Sequence, residues 1–313
     1  MTGPDKKDRM TATDMIDSSA TAAPDAVAAR PRSDTWHRAR RHTGLLIGAA
    51  LVLGIVILAL LAPLLAPHDP YLQNLSARLI PPVWQGEGSW AHPLGTDALG
   101  RDYLSRILYG ARISLLIGFG ATAIALVIGT TMGVLAGYFG GWPDFIVSFI
   151  VNVRLALPAM LVALVVVALV GGSLNVVIWT LGFLVWDRFA VVMRAATQQI
   201  RSLDYLAAAE AAGASVLRIL LSEVMPNVLG ALIVVATLEI AQAILFEAAL
   251  SFLGLGVQPP TPSWGLMISE GKAHMFFRPW VIAIPGVALF VLVLAINLLG
   301  DGIRDVTAPE GRA

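Results

Sequence analysis

Apolar segments long enough to cross a lipid bilayer recur along this sequence, and their recurrence restricts the possible folds more than any other feature. Hydrophobic residues make up 57% of the 313 residues, whereas charged residues make up 13%. A water-soluble protein of this length needs far more polar surface to cover its core. A helix crosses the hydrocarbon core with about 20 predominantly apolar residues. The sequence therefore predicts an all-α membrane protein.

We predict six transmembrane helices with both termini in the cytoplasm. The spans are predicted near residues 43–66, 113–136, 158–170, 174–200, 227–254 and 279–299, with an interfacial helix from about residue 145 before the third span. Several arginines between residues 30 and 41 precede the first span, and such clusters favour the cytoplasmic side of a membrane. An even number of spans then returns the C-terminus to that side.

The spans divide the chain into segments of different character. The predicted segments are a disordered cytoplasmic tail at 1–42, the first helix at 43–66, an extracytoplasmic loop at 67–111, a five-helix core at 112–300 with cytoplasmic helices at 203–222, and a cytoplasmic tail at 301–313. The polar composition of the first segment is typical of disorder. The loop at 67–111 is rich in proline, glycine and tryptophan, which favours ordered turns.

Small residues recur every fourth position along the second span. They are Ala121, Ala125, Gly129, Gly133 and Gly137. This spacing places them on one helix face, where the backbone of another helix can approach closely. We interpret the pattern as structural packing.

A polar, alanine-rich stretch from Asp204 to Asn227 interrupts the apolar sequence. It predicts two short helices joined at Gly213, with Asp204 capping the first and Pro226 stopping the second. The first helix exposes mostly methyl groups, which suits close contact with a soluble partner. An ordinary cytoplasmic loop helix explains the stretch about equally well.

Ionisable and amide side chains occur within two of the predicted spans. Asp187 and Arg188 lie in the fourth span, and Glu239, Gln242 and Glu247 lie on one broad face of the fifth. Charges at this depth are costly unless they are paired or face water. A transport pathway and a structural ion pair are both consistent with these residues.

The composition and motifs exclude several kinds of chemistry. The chain has no cysteine and a net charge of zero, so it offers no thiolate site and no bulk attraction to nucleic acid. Its histidines are scattered without metal-ligand spacing, and no phosphate-binding loop or hydrolase motif occurs. We therefore expect no cofactor, metal or catalytic site, and we disfavour an intramembrane hydrolase.

The Asp204–Asn227 stretch resembles the coupling motif of ABC-importer membrane subunits. That motif reads Glu-Ala-Ala, three residues, Gly, nine residues, then Ile-x-Leu-Pro. In this chain the motif positions are occupied by Ala207-Ala208-Ala209, Gly213, Glu223 and Met225-Pro226, so alanine replaces the motif's glutamate. The resemblance implies contact with an ATPase through Asp204, Tyr205, Ala207, Ala208, Ala209, Glu210, Gly213 and Pro226.

Three further segments are similar to the C-type permease subunit of dipeptide and oligopeptide ABC importers. They are HPLGTDALGRDYLSRILYGARISL at 92–115, EAALSFLGLGVQPPTPSWGLMI at 247–268 and NLLGDGIRD at 297–305. The resemblance implies the type I ABC importer permease fold in a prokaryotic cell membrane. It also implies a second, B-type permease, one or two ATPase subunits that bind ATP and Mg²⁺, and an extracytoplasmic solute-binding protein.

The same resemblance assigns roles outside the coupling motif. Extracytoplasmic docking to the partner permease, the binding protein or both is implied for His92, Gly95, Asp97, Gly100, Arg101 and Trp264. Dipeptides or oligopeptides are the expected substrates, with nickel chelates, glutathione or haem as alternatives. A gradient-driven secondary carrier is the competing interpretation, because intramembrane carboxylates also serve such proteins.

Overall fold

The computed structural model describes residues 39–307, which are mainly helical and contain no β-strand. Apart from residues 39–42, the predicted disordered tail lies outside the described residues, as do residues 308–313. The helices, in chain order, are α1 Thr43–Leu60, α2 Ala62–Leu65, α3 Tyr103–Phe139, α4 Gly141–Ala156, α5 Ala159–Val170, α6 Leu174–Gly182, α7 Trp186–Arg201, α8 Asp204–Ala211, α9 Val216–Ile219, α10 Met225–Phe252, α11 Trp264–Gly271 and α12 Trp280–Thr307.

Within residues 39–307, five helical stretches are long and apolar enough to cross a membrane, and a bent pair of helices brings the number to six. The five are α1, α3, α6 with α7, α9 through α10, and α12. The bent pair is α4 and α5, whose axes meet at 82°. The predicted all-α membrane architecture is therefore confirmed, and the six predicted spans agree with the count that includes the bent pair.

The bent pair connects opposite ends of the bundle. Just before α4, Gly140 lies beside Arg201, because a methyl group added to Gly140 would be 3.4 Å from the Arg201 guanidinium. Just after α5, the Gly172 carbonyl accepts a 3.2 Å hydrogen bond from Gln258 N–H, in the loop that follows the fifth span. Alone, α5 is only about 18 Å long at 1.5 Å per residue, shorter than the roughly 30 Å hydrocarbon core. The third crossing therefore needs residues beyond α5, and the break between α4 and α5 at residues 157–158 agrees with the predicted start of a separate helix near Pro158.

The second span starts earlier than its apolar pattern predicts. Instead of beginning near Ile113, α3 begins at Tyr103, and Asp102 caps it by accepting a hydrogen bond from Ser105 N–H. Residues 103–111 are therefore helix rather than loop. The extra turns contain Arg106, whose buried side chain is paired with the carboxylates of Asp97 and Glu270. An arginine compensated in this way does not end a helix, although it interrupts the run of apolar residues from which the start of the span was predicted.

The small-residue face of α3 packs against α7. A methyl group on Gly133 would lie 2.5 Å from the Ala190 carbonyl oxygen, and one on Gly137 would lie 2.7 Å from the Arg194 carbonyl oxygen. Ala121 and Ala125 on the same face are completely buried. Glycine at these positions lets the two backbones touch, which confirms the packing interpretation.

Pro226 does not stop the helix that precedes it. The stretch Val216–Phe252 is continuous, and a π-helical turn at Leu220–Val224 lies just before the proline. In that turn Met225 N–H bonds to the Leu220 carbonyl oxygen, five residues earlier. A widened turn relieves the clash between a proline ring and the carbonyl four residues before it, so a new element need not begin at Pro226.

Two regions at opposite ends of the bundle frame the functional residues. The α8 end comprises residues 139–141 and 201–215, and the loop end comprises residues 67–102 and 255–279. Between them, α1 packs along α12, where a methyl group on Gly48 would lie 2.6 Å from Leu299 N.

Candidate coupling surface and pathway residues

Helix α8 presents a methyl-rich surface at the α8 end. Its exposed residues include Ala207, Ala208 and Ala211, so no side chain larger than a methyl group covers this part of the helix. Leu206, on the opposite side, is 1% exposed and belongs to the hydrophobic core. The helix is therefore anchored by one face while the alanine face remains free.

A sharp turn follows α8 and leads into the fifth span. Gly213 has a φ of +78°, a conformation that glycine adopts without steric cost. The turn encloses a cavity of about 270 Å³ lined by Ala209, Ala212, Gly213, Ala214, Arg218, Ile219 and Glu223. Ile219 is 1% exposed, so both short helices are fixed to the bundle on either side of this cavity.

Polar contacts attach α8 to the spans. The Tyr138 hydroxyl donates a 2.8 Å hydrogen bond to Glu210, and the Arg201 guanidinium lies 5.6 Å from the centre of the Tyr138 ring. Asn227 donates a hydrogen bond of 3.3 Å to the Tyr205 hydroxyl. Burial raises the pKa of Tyr205, and the nearby Glu223 carboxylate adds to this rise, so the hydroxyl stays neutral.

Two details of the α8 region differ from the sequence prediction. Asp204 does not cap α8: the N-cap position is Leu203, and Asp204 lies in the first turn, where a negative charge still favours the helix dipole. Glu210 is directed to Tyr138 in the bundle, although it remains exposed. Pro226 is exposed within the start of α10.

The charged residues within the spans form two groups that have different hydrogen-bond partners. Arg188 bonds through Nη1 to Glu239 Oε1 at 3.1 Å, and the Arg188 side chain is 60% exposed whereas that of Glu239 is 1% exposed. Asp187 is buried beside Arg188, and Gln242 is half-buried one turn beyond Glu239. Arg188 and Glu239 thus form a polar pair, near the middle of the 174–201 crossing, that is open on the arginine side.

Glu247 has a different environment from Glu239. It is fully buried, and its Oε1 accepts hydrogen bonds from Ser251 at 2.7 Å and Ser263 at 2.8 Å. Ser263 also caps α11, so Glu247 connects α10 to the loop end. The hydrogen bonds of Glu247 therefore hold the loop end against α10.

A buried ionic network organises the loop end. Asp97 accepts hydrogen bonds from Arg101 Nε at 2.6 Å and from Leu99 N–H at 2.8 Å, and it is also paired with Arg106. Glu270 bonds to Arg106 at 2.7 Å and to Arg101 at 3.2 Å. Two carboxylates and two guanidinium groups thereby compensate one another, with Asp97, Arg101 and Arg106 buried and the Glu270 side chain 27% exposed. No local sequence pattern marks Arg106 or Glu270 as members of this network, because they are 164 positions apart.

The side chains predicted to dock a partner at the loop end face inward instead. Gly95, Asp97, Gly100, Arg101 and Trp264 are buried, and His92 is half-buried. Gly95 and Gly100 have φ values of +80° and +73°, and Trp264 donates a 2.9 Å hydrogen bond to the Ile107 carbonyl. These residues stabilise the loop itself. The glycines permit its turns, Asp97 and Arg101 pair with each other, and Trp264 bonds to the backbone.

Comparison with protein-family models decides the family. A model described as the binding-protein-dependent transport system inner membrane component matches residues 129–310, more than half of the chain. The chain belongs to this family. A second model, the N-terminal transmembrane domain of oligopeptide transport permease C, matches residues 30–82. This permease is therefore a membrane-spanning subunit of an ABC importer, in which separate subunits hydrolyse ATP.

Curated relatives align with this permease over nearly their whole length. It is 39% identical to the dipeptide transport system permease protein DppC of Haemophilus influenzae, over 95% of this chain and 99% of the relative. It is 41% identical to DppC of Escherichia coli K12, over 90% and 93%. The glutathione transport system permease protein GsiD of Pectobacterium atrosepticum is 38% identical, over 90% and 91%.

Solved structures confirm the fold. The MetNI methionine ABC transporter in an inward-facing conformation matches with a TM-score of 0.54 and 21% identity, over 65% of this chain and 97% of that chain. A second crystal form of the same transporter matches with a TM-score of 0.55 and 21% identity, over 66% and 98%. The predicted ABC importer permease fold is confirmed.

Proposed function

We propose that this permease forms half of the translocation pore of an ATP-driven importer of dipeptides or short oligopeptides. The observation that carries the proposal is the 39–41% identity, over most of both chains, to dipeptide permeases. A B-type permease supplies the other half of the pore, and an extracytoplasmic binding protein delivers the peptide.

The α8 end supports a coupling role. Helix α8 is anchored through Leu206, and its exposed alanines leave room for a groove of an ATPase subunit to close around them. The ATPases bind ATP and Mg²⁺ and lie in the cytoplasm, which puts both termini on that side. A displacement of α8 is passed through the turn at Gly213 to Val216–Phe252, which is one continuous helix that includes the fifth span.

Arg188 and Glu239 are our proposed pathway residues. The Arg188 side chain is 60% exposed in the separate chain, and the partner permease would enclose it in a shared pore. A guanidinium group held by a buried carboxylate can attract the peptide's terminal carboxylate. Asp187 and Gln242 lie close enough to contribute polarity to the same region.

Transport by the complete complex tests this function. The complex is purified through a tag on this chain and reconstituted into liposomes, with ATP placed either inside or outside them. Binding protein and a radiolabelled dipeptide are then added to the outside. We expect uptake that requires ATP on the ATPase side. Uptake that persists without the ATPase under a proton gradient would support a secondary carrier instead.

Glutathione is the second candidate substrate. The 38% identity to a glutathione permease over 90% of this chain supports it. Competition distinguishes the two substrates: unlabelled dipeptide should inhibit labelled dipeptide uptake far more strongly than unlabelled glutathione. The reverse order would make glutathione the substrate.

A further inference from the structure

Three side chains with metal-binding groups converge at the loop end, where α3 begins. They are His68, His92 and Asp102, and their ligand atoms all lie within 4.8 Å of one another. Each comes from a different part of the chain: His68 follows α2, His92 lies in the loop, and Asp102 caps α3. Their separation in sequence explains why no ligand spacing was visible there.

Two edges of the arrangement are close in length to the edges of a metal tetrahedron. The Asp102 Oδ1 atom lies 2.8 Å from His92 Nδ1 and 3.7 Å from His68 Nδ1. Zn²⁺ bonds of 2.0–2.1 Å place neighbouring tetrahedral ligands about 3.3 Å apart. The two distances lie on either side of this value, so small movements of the imidazole rings suffice.

We propose that His68, His92 and Asp102 bind a divalent transition-metal ion of the Zn²⁺ type. Two imidazole nitrogens and one carboxylate oxygen form a donor set that Zn²⁺ accepts readily. The His68 side chain is 40% exposed, whereas that of Asp102 is completely buried. The fourth coordination position therefore opens towards solvent, and a water molecule would fill it.

Hydrogen bonds outside the donor set hold the site in position. The second Asp102 oxygen accepts hydrogen bonds from Ser105 N–H at 2.8 Å and Ser105 Oγ at 2.7 Å. Ser105 Oγ in turn accepts a 3.2 Å hydrogen bond from His68 N–H. Such supporting bonds orient metal ligands. The positive end of α3 opposes a cation by roughly two- to thirtyfold in affinity.

A hydrogen bond between His92 and Asp102 explains only part of the cluster. It accounts for His92, but His68 Nδ1 at 3.7 Å is beyond hydrogen-bond distance from the carboxylate. The His68 ring nevertheless lies against the His92 ring, with centroids 4.7 Å apart and planes inclined by 34°. A shared metal ion accounts for both rings and joins the end of the first span to the start of α3.

Metal binding to the full-length protein tests the proposal. The permease complex, purified with a histidine-free tag and stripped with a chelator, is titrated with ZnCl₂ by calorimetry. We expect one Zn²⁺ per chain, with affinity at least about tenfold weaker in His68→Asn and in His92→Asn. The control His274→Asn changes a histidine at the same end, outside the cluster, and should bind like the wild type.

His68→Asn is the decisive variant because it breaks no side-chain hydrogen bond to Asp102. Wild-type affinity in His68→Asn, or an equal loss in His274→Asn, would overturn the proposal. A second measurement needs no variant: CoCl₂ added to the stripped wild-type complex should produce the visible absorption of a four- or five-coordinate Co²⁺ site. A spectrum of hexa-aquo Co²⁺ alone would also overturn it.

Discussion

The Tyr138 hydroxyl donates a 2.8 Å hydrogen bond to Glu210, which joins the end of α3 to α8. Tyr138 is 5% exposed and belongs to the hydrophobic core, whereas Glu210 lies on the exposed helix. The contact links a rigid part of the bundle to the surface that we propose binds the ATPase. Glu210 is therefore occupied within the chain, and the alanines are left to contact the partner.

Replacing Tyr138 by phenylalanine tests this link. Tyr138→Phe removes the hydroxyl and keeps the ring, so we expect a loss of about 1 kcal/mol in the free energy of unfolding and weaker coupling of ATP hydrolysis to transport. Thermal unfolding in detergent and the ratio of ATP hydrolysed to peptide transported measure these effects. Tyr109→Phe, at the other end of α3, is the control, and identical behaviour of the two variants would contradict the prediction.

The contact between α3 and α7 should not tolerate a single added methyl group. In Gly133→Ala the new carbon would lie 2.5 Å from the Ala190 carbonyl oxygen, so the helices must separate. Overpacking of this kind costs about 1–3 kcal/mol, which a lower melting temperature would reveal. The control Gly54→Ala has no heavy atom within 4 Å of the added carbon, and there the higher helix propensity of alanine should leave stability unchanged or improved.

Arg188 and Glu239 should respond unequally to neutralisation. Arg188→Gln leaves a buried carboxylate without its cation, which costs about 3 kcal/mol. Glu239→Gln leaves an arginine that is 60% exposed in the separate chain, and water in the proposed pore can solvate it, so the cost should be about 1 kcal/mol.

The double variant Arg188→Gln/Glu239→Gln checks the origin of this inequality. It should be more stable than Arg188→Gln alone, because the stranded charge is gone. Denaturation of all three variants measures the difference. Equal losses in both single variants would show that the pair does not have the asymmetric burial described above.

Arg106 should be essential to the loop end. Arg106→Gln removes the cation that lies between Asp97 and Glu270, and the expected loss is about 3 kcal/mol, typical of breaking a buried ion pair. Protease sensitivity of the 67–102 loop and the melting temperature report this loss. Arg112→Gln, an exposed arginine two turns along α3, should have wild-type stability; similar damage in both would refute a specific role for the network.

Hydropathy and spacing were sufficient to predict the helical class, the approximate spans and the α3 packing face. These features depend on local composition, and lipid imposes strict requirements on any crossing segment. The start of α3 was missed because Arg106 is compensated by Glu270, a residue 164 positions away. No pattern within a window of sequence contains that partner.

The two carboxylates of the fifth span show a second limit of sequence reasoning. Glu239 and Glu247 share one broad helix face, yet Glu239 meets Arg188 from α7 and Glu247 meets Ser263 from the loop end. Their roles depend on which side chains the tertiary fold brings to them. The predicted docking residues of the loop end are mostly buried for the same reason.

Docking of the α8 alanine face into an ATPase subunit can be measured by crosslinking. Since the chain has no cysteine, Ala208→Cys supplies a unique thiol on this face, and Ala273→Cys supplies a matched thiol on an exposed alanine at the loop end. A short thiol-directed photo-crosslinker is attached to each variant in the complete complex, and the adducts are identified by mass spectrometry. We expect an ATPase adduct from Ala208→Cys and none from Ala273→Cys. An assembled, active complex in which Ala208→Cys gives no ATPase adduct would contradict this docking.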